Sequence, residues 1–176
     1  MILVIIASSA GVLLLLVLVW LIYFKLQFTV YQDDQYKFSI KYPKDWKVII
    51  HPYNNVAVAF LRPKDTTMDL MQESFNVTIQ PVPEDLHDLA AFSATIKRQL
   101  TGSFNTIKLD EDKSIHWDWR EGHMIVYQEP ASQFEMVNAW VLRSDQAYIL
   151  TFLGERSKYP QDAIYVHEMV HSLKLQ

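Results

Sequence analysis

The chain contains no cysteine. A bacterial lipoprotein signal is therefore excluded, because the lipid needs a thiol for its attachment. The missing thiols set no redox compartment, since a chain without them suits either environment. The sequence also lacks a glycine-rich dinucleotide or phosphate loop, a Gly/Ser-rich linker and an internal repeat. Basic residues number 16 against 20 acidic ones, and this net charge of −4 argues against nucleic-acid binding.

Charged residues are missing from the first part of the chain, residues 2–24. At roughly 1.5 Å per residue, a helix of this length spans the roughly 30 Å hydrocarbon core of a bilayer. No Lys or Arg precedes the apolar run, so the sequence predicts an uncleaved single-pass anchor over residues 1–25 instead of a removed signal peptide. Trp20, Tyr23 and Phe24 followed by Lys25 are typical of the membrane interface.

Small residues occupy one face of this predicted anchor. Ala7 and Gly11 have the four-residue spacing that lets two membrane helices approach closely, although a lone anchor is the simpler alternative. The lysines that follow the apolar run favour a cytoplasmic location for the rest of the chain under the positive-inside rule.

The remainder has the size of one domain, for which we expect a linker or first strand over residues 26–35 and a globular part over residues 36–176. Alternating apolar residues predict strands over 37–42, 46–50, 56–61, 74–80, 106–109, 115–120, 123–128, 134–142 and 147–153. Amphipathic patterns predict helices over 84–100 and from 160 to the end. A hairpin is expected to turn at Glu121 and Gly122. This order of elements predicts an α+β fold with a mostly antiparallel sheet.

Two stretches carry a family resemblance. The sequence YKFSIKYPKDWKV over residues 36–48 and the sequence AYILTFLGERSKYPQDAIYVHEMVHSLKL over residues 147–175 resemble the PsbP-like family. In the first stretch, Pro43 is expected to turn the chain so that Trp46 packs on the core. The resemblance implies an α/β/α sandwich, here preceded by a transmembrane helix.

Known PsbP-like proteins include the extrinsic subunit that supports the oxygen-evolving side of photosystem II and bacterial relatives without an assigned role. None is an established enzyme. The membrane anchor sets this chain apart from the photosynthetic subunit and favours a bacterial relative. The resemblance implies a domain outside the cytoplasm, whereas the positive-inside rule favours the cytoplasm. We expect the location outside the cytoplasm that the resemblance implies.

The sequence HEMVH over residues 167–171 matches the H-E-x-x-H pattern of zinc peptidases. On a helix, His167 and His171 would hold the metal while Glu168 acts as base on a bound water. Only residues 172–176 follow, and they offer no good third ligand. We therefore interpret the motif as the flank of a structural helix and expect no cofactor, with zinc as the alternative.

Other candidates for chemistry have simpler interpretations. We expect His116 and His123 to be exposed hairpin residues and the alternating Trp117 and Trp119 to be packing residues. The acidic run over residues 110–112 is expected to be a solvated loop. No Ser/His/Asp arrangement stands out.

Loops with aromatic and polar residues are the candidates for partner contacts, namely Tyr53, Asn54 and Phe134 besides the anchor residues Ala7 and Gly11. The sequence therefore favours a non-enzymatic accessory or assembly subunit that docks on an integral membrane-protein complex. Two alternatives remain: a zinc-dependent hydrolase that uses the H-E-x-x-H motif, and a small-ligand-binding domain.

Overall fold

The structure, a computed structural model, describes residues 11–17, 19–20, 24, 27–65, 71–103 and 106–176. Within these ranges the strands are β1 (Phe28–Asp33), β2 (Phe38–Pro43), β3 (Lys47–Ile50), β4 (Val56–Leu61), β5 (Ser74–Pro81), β6 (Lys108–Trp117), β7 (Arg120–Gln128), β8 (Phe134–Arg143), β9 (Gln146–Glu155) and β10 (Lys174–Leu175). The helices are α1 (Leu89–Ser103), α2 (Tyr159–His171) and a short 3-10 helix, Glu84–Leu86.

The strands form two sheets in which every neighbouring pair is antiparallel. The larger sheet has seven strands in the order β3-β4-β5-β9-β8-β7-β6, and the smaller has the order β1-β2-β10. Residues 28–33, for which the sequence left a linker or a first strand open, form β1. The α+β class and the mostly antiparallel sheet predicted from the sequence are confirmed.

Helices cover both faces of the larger sheet. Strand residues alternate between the two faces, and buried apolar side chains lie on both of them. Each face therefore requires a cover that excludes water. On one side, α1 packs over a cluster formed by Val82, Phe92, Ile125, Tyr127, Trp140 and Ala147. On the other side, α2 and the smaller sheet share a core that includes Phe38, Ile40, Val77, Val137, Phe152, Val166 and Met169. The result is an α/β/α sandwich.

Buried charges fix the beginning of α2 to the larger sheet. Asp162 is only 1% exposed, and its Oδ1 lies 3.1 Å from Arg62 Nε at the end of β4. Glu73, also 1% exposed, lies 3.4 Å from Lys158 Nζ. Burial raises the pKa of Asp162 to about 6, with Arg62 opposing the shift. Arg62 also lies 3.7 Å from Glu73, so removing Arg62 would weaken the compensation of both buried carboxyl groups.

The first long helix begins later than predicted. The sequence placed its start at residue 84, but α1 begins at Leu89 after the separate 3-10 helix. Asp88 explains the boundary, because its Oδ2 accepts a hydrogen bond from the Ala91 amide at 2.9 Å, as an N-cap residue does. The helix prediction was correct in kind and wrong at its start.

The hairpin between β6 and β7 turns three residues earlier than predicted. The expected turn at Glu121 and Gly122 was wrong, since both residues belong to β7. The chain instead reverses at Asp118 and Trp119, where Asp118 has a φ of 53°. Two-residue hairpin turns require positive φ values, and Asp tolerates them better than most residues.

Gly122 is needed for packing instead of turning. A Cβ atom at this position would overlap the Trp117 ring and the Trp140 carbonyl oxygen. A glycine inside a strand often marks such a close approach, and the sequence pattern alone did not distinguish it from a turn residue.

The chain ends in a strand instead of a helix. The sequence predicted a helix to the terminus, but α2 ends at His171 and the Ser172 amide is bonded to the Glu168 carbonyl at 2.9 Å. β10 then pairs with β2, with Leu175 opposite Phe38. The last residues therefore complete the smaller sheet.

Trp46 is buried as predicted, with 5% of its surface exposed, and its amide donates to the Pro43 carbonyl at 3.0 Å. We expect Trp46→Ala to lower the free energy of unfolding by about 3–5 kcal/mol, because truncation leaves a cavity in the core. Urea denaturation measures the change. The control Tyr53→Ala, at a side chain 79% exposed, should change stability by no more than about 0.5 kcal/mol. Equal midpoints for the two variants would contradict the packing role.

Candidate functional site

The H-E-x-x-H motif lies on α2, but its glutamate is engaged elsewhere. Glu168 Oε1 lies 2.7 Å from Lys41 Nζ on β2, and both side chains are partly exposed. A base in a zinc site must instead face water bound between the two imidazoles. The carboxylate of this motif is therefore part of a surface ion pair between α2 and the smaller sheet.

The two motif histidines are neighbours on α2. The rings of His167 and His171 have centroids 6.3 Å apart. Burial lowers the pKa of His167, with the Glu111 charge opposing the shift and Lys113 and His171 adding to it. Across the part of the chain that the structure describes, no three His, Asp or Glu side chains are grouped so that they could hold a metal ion. The motif thus presents two neighbouring imidazoles and a glutamate paired with Lys41.

We expect Glu168→Gln to leave the protein without zinc and without altered peptide hydrolysis. Stability should change by less than about 1 kcal/mol, because an exposed ion pair contributes little. Metal analysis of the purified full chain measures the zinc content, a peptide-cleavage assay measures hydrolysis, and urea denaturation measures stability. Lys41→Met is the matched control, because it removes the other half of the ion pair. One tightly bound zinc per chain, lost in both His167→Ala and His171→Ala, would instead establish a metal site.

A polar triad crosses from α1 to the β6–β7 hairpin. Lys97 Nζ lies 2.7 Å from Asp112 Oδ1, and the same oxygen lies 2.6 Å from His123 Nε2. The His123 ring stacks on Trp140 with centroids 5.2 Å apart. The hydrogen bond from Lys97 lowers the pKa of Asp112. The expectation of an exposed histidine holds for His116 but is wrong for His123, which is partly buried.

A groove of about 450 Å³ opens beside this triad. Its walls come from α1 and the hairpin and include Ser93, Lys97, Ser114 and His123. Ser93 Oγ accepts a hydrogen bond from Trp140 Nε1 at 2.8 Å. The groove gives the small-ligand alternative a location, although its cation is already paired with a carboxylate.

The acidic run over residues 110–112 is part of β6 and not a solvated loop, which corrects the sequence prediction. The strand has a bulge between Leu109 and Glu111. Asp110 lies at this bulge, where its Oδ2 accepts from Gln128 Nε2 at 2.6 Å. Asp110 also hydrogen-bonds to Glu135 of β8, and Glu135 is only 5% exposed. The bulge therefore brings two carboxyl groups together.

Burial, the Asp110 charge and the hydrogen bond to Asp110 raise the pKa of Glu135 to about 7, against the attraction of Arg156 and Lys108. A carboxyl group with a raised pKa in the folded state favours folding while it is protonated. Its contribution is therefore lost as the pH rises from the unfolded value near 4.5 through 7.

We expect Glu135→Gln to stabilise the protein at pH 8 by about 1–3 kcal/mol relative to the parent chain, and to have little effect at pH 4.5. The glutamine amide donates to Asp110 as the protonated acid does, but does not ionise. Chemical denaturation of both proteins at the two pH values measures the difference. Glu129→Gln, a nearby loop substitution, controls for the change in net charge, and a difference independent of pH would contradict the shifted pKa.

The predicted partner-binding residues lie in different surroundings. Tyr53 is 79% exposed, and Asn54 is exposed beside it in the β3–β4 loop. Phe134 begins β8 and is partly buried. Gly11 has open space where a side chain would be, and Ala7 lies outside the described residues. Their role in partner binding stays a prediction.

Trp119 is an exposed aromatic residue that the sequence analysis assigned to packing. Trp117 does pack, since it is 3% exposed and its Nε1 donates to the Val170 carbonyl at 2.5 Å. Trp119 lies in the turn and is 78% exposed, with the Arg120 guanidinium carbon 3.9 Å from its ring centroid. Trp and Arg are enriched at the centres of protein interfaces. A turn placed correctly at residues 118 and 119 would have assigned Trp117 to a strand and Trp119 to the exposed turn.

Helical residues before β1 are apolar and exposed. Leu13, Leu14, Leu15 and Leu16 each have 58–65% of their surface exposed. No helix built from the described residues alone is long and apolar enough to cross a membrane. Much of the anchor predicted over residues 1–25 lies outside the described residues, and it stays a prediction.

Four rings connect these apolar residues to the sandwich. Trp20 stacks on Phe24 with centroids 5.8 Å apart, and Phe24 contacts both Phe28 of β1 at 5.2 Å and Tyr165 of α2 at 6.0 Å. Phe28 and Tyr165 also contact each other. We call these four residues the aromatic junction.

Known structures share this fold. The solution structure of cyanobacterial PsbP (CyanoP) from Synechocystis sp. PCC 6803 has a TM-score of 0.64 and 12% identity, covering 85% of this chain and 93% of that one. LpqN, involved in cell envelope biogenesis of Mycobacterium tuberculosis, has a TM-score of 0.61 and 5% identity, covering 85% and 91%. The Saccharomyces cerevisiae Ran-binding protein Mog1p has a TM-score of 0.57 and 9% identity, covering 84% and 95%.

No family model and no curated sequence matches the chain. The structural likeness nevertheless covers most of each compared protein. The fold is PsbP-like, as the resemblance at residues 36–48 and 147–175 implied. At these low identities the likeness establishes the fold alone.

Proposed function

We propose that this chain is a membrane-anchored, non-enzymatic accessory or assembly subunit that docks on an integral membrane-protein complex. The observation that carries the proposal is the exposed apolar helical segment, which the aromatic junction connects directly to the folded domain. Exposed leucines on several consecutive residues are costly in water and need an apolar surrounding. A bilayer provides it, and the anchor then raises the concentration of the domain beside any integral partner.

The compared proteins support a binding role. Mog1p is a Ran-binding protein, and LpqN is involved in cell envelope biogenesis. A protein partner for this chain agrees with the first of these, and an extracytoplasmic location agrees with the second. The exposed Tyr53 and Trp119 offer aromatic contacts of the kind that dominate interface energies.

The alternative functions have less support. A zinc-dependent hydrolase would need Glu168 free from Lys41 and a third ligand for the metal. A small-ligand-binding domain has the groove beside Lys97 and His123. Isothermal titration with small compounds that fit the groove of about 450 Å³ would test the second alternative directly.

We expect the full chain to remain in the membrane fraction after high-salt washing and to copurify with integral membrane proteins in mild detergent. Leu14→Arg with Leu15→Arg should release the protein, because each arginine near the centre of a membrane helix costs about 2.5–3.5 kcal/mol. Leu14→Val with Leu15→Val is the matched control and should stay bound. Release of the parent chain from the membrane fraction by high-salt washing would contradict the proposed anchor.

Partner docking is tested in the same preparation. Trp119→Ala and Tyr53→Ala should reduce the copurified protein without lowering the melting temperature, since both side chains are exposed. The chain has no native cysteine, so Asn54→Cys labelled with a membrane-impermeant maleimide in intact cells reports the side of the membrane. Labelling only after cell lysis would place the domain in the cytoplasm.

A further inference from the structure

The connection between β2 and β3 lies next to the aromatic junction. The Gln27 amide donates to the Phe24 carbonyl at 3.1 Å, and the Gln27 carbonyl accepts from the Lys44 amide at 2.8 Å. Phe28, the first residue of β1, is paired with Pro43, the last residue of β2. Hydrogen bonds and ring contacts therefore hold Phe24, at the end of the apolar segment, against the domain.

This arrangement fixes which end of the sandwich is near the apolar segment. β1 and β2 run from the Phe28–Pro43 pair to the Asp33–Phe38 pair, a distance of about 20 Å for six residues. The Tyr36 and His51 rings meet beyond that far pair, with centroids 6.0 Å apart. The β3–β4 loop with Asn54 is therefore distal, whereas the β2–β3 connection is proximal to the anchor.

The proximal connection carries cations. Lys44 and Lys47 are exposed on either side of Asp45 and the buried Trp46. The chain as a whole has a net charge of −4, so an excess of positive charge beside the apolar segment differs from the overall balance. Each headgroup layer is about 5–8 Å thick, and a lysine side chain can extend through it.

We propose that the β2–β3 connection lies on the bilayer surface, where Lys44 and Lys47 bind the phosphates of lipid headgroups. This inference rests on the membrane anchor of the proposed function. It adds a second contact with the membrane, which holds the domain in one orientation. The distal end, with Tyr53 and Asn54, then points away from the bilayer and is available to the extramembrane part of a partner.

The distance to the bilayer can be measured on the full chain in lipid nanodiscs. Asp45→Cys, between the two lysines, and Asn54→Cys each give a single labelling site, because the chain has no cysteine. With a fluorophore at each site, lipids carrying a headgroup spin label should quench the probe at residue 45 several-fold more than the probe at residue 54. Equal quenching at the two sites would overturn the proposed orientation while leaving the anchor intact.

The role of charge needs a second measurement. Hydrogen exchange of the amides of residues 44–48 should be slower in nanodiscs containing phosphatidylglycerol than in phosphatidylcholine alone. Lys44→Glu with Lys47→Glu should abolish that difference, and Lys37→Glu with Lys174→Glu, at the distal end, is the control with the same charge change. Protection that persists in the first double variant would overturn phosphate binding. A chain that fails to enter nanodiscs would overturn the proposed function together with this inference.

Discussion

The seven-stranded sheet is apolar on both faces, and the rest of the fold follows from the need to cover both. Phe152 and Val137 point to the side of α2, whereas Trp140 and Ile125 point to the side of α1. A single helix cannot cover a sheet of this width. The smaller sheet completes the second cover beside α2, so the last residues of the chain return to pair with β2.

The same requirement explains the surroundings of the H-E-x-x-H motif on α2. The helix presents Val166, Met169 and Val170 to the core, which turns Glu168 toward β2 and Lys41. A zinc peptidase helix faces a cleft between lobes, whereas this helix is a cover. The exposed Trp119 and the β2–β3 connection lie in turns between strands instead of on this helix.

Prediction from the sequence succeeded where local patterns dominate. Alternation placed most strands, and the turn at Pro43 correctly indicated a buried Trp46. Prediction failed where contacts between distant residues decide. The Glu121-Gly122 pair has the composition of a turn, but Gly122 is required where the Trp117 ring crosses β7. The helix start moved to Leu89 because the Asp88 cap outweighed the amphipathic pattern before it.

The sequence by itself determined the α+β class and the apolar N-terminal segment, because periodicity and hydropathy are properties of neighbouring residues. Only the tertiary structure decided the candidate sites. His123 meets Asp112, and Asp110 meets Glu135, through the register and the bulge of the sheet. Phe24 likewise meets Tyr165 across most of the chain. Such contacts depend on how strands and helices pack, and no local pattern specifies that packing.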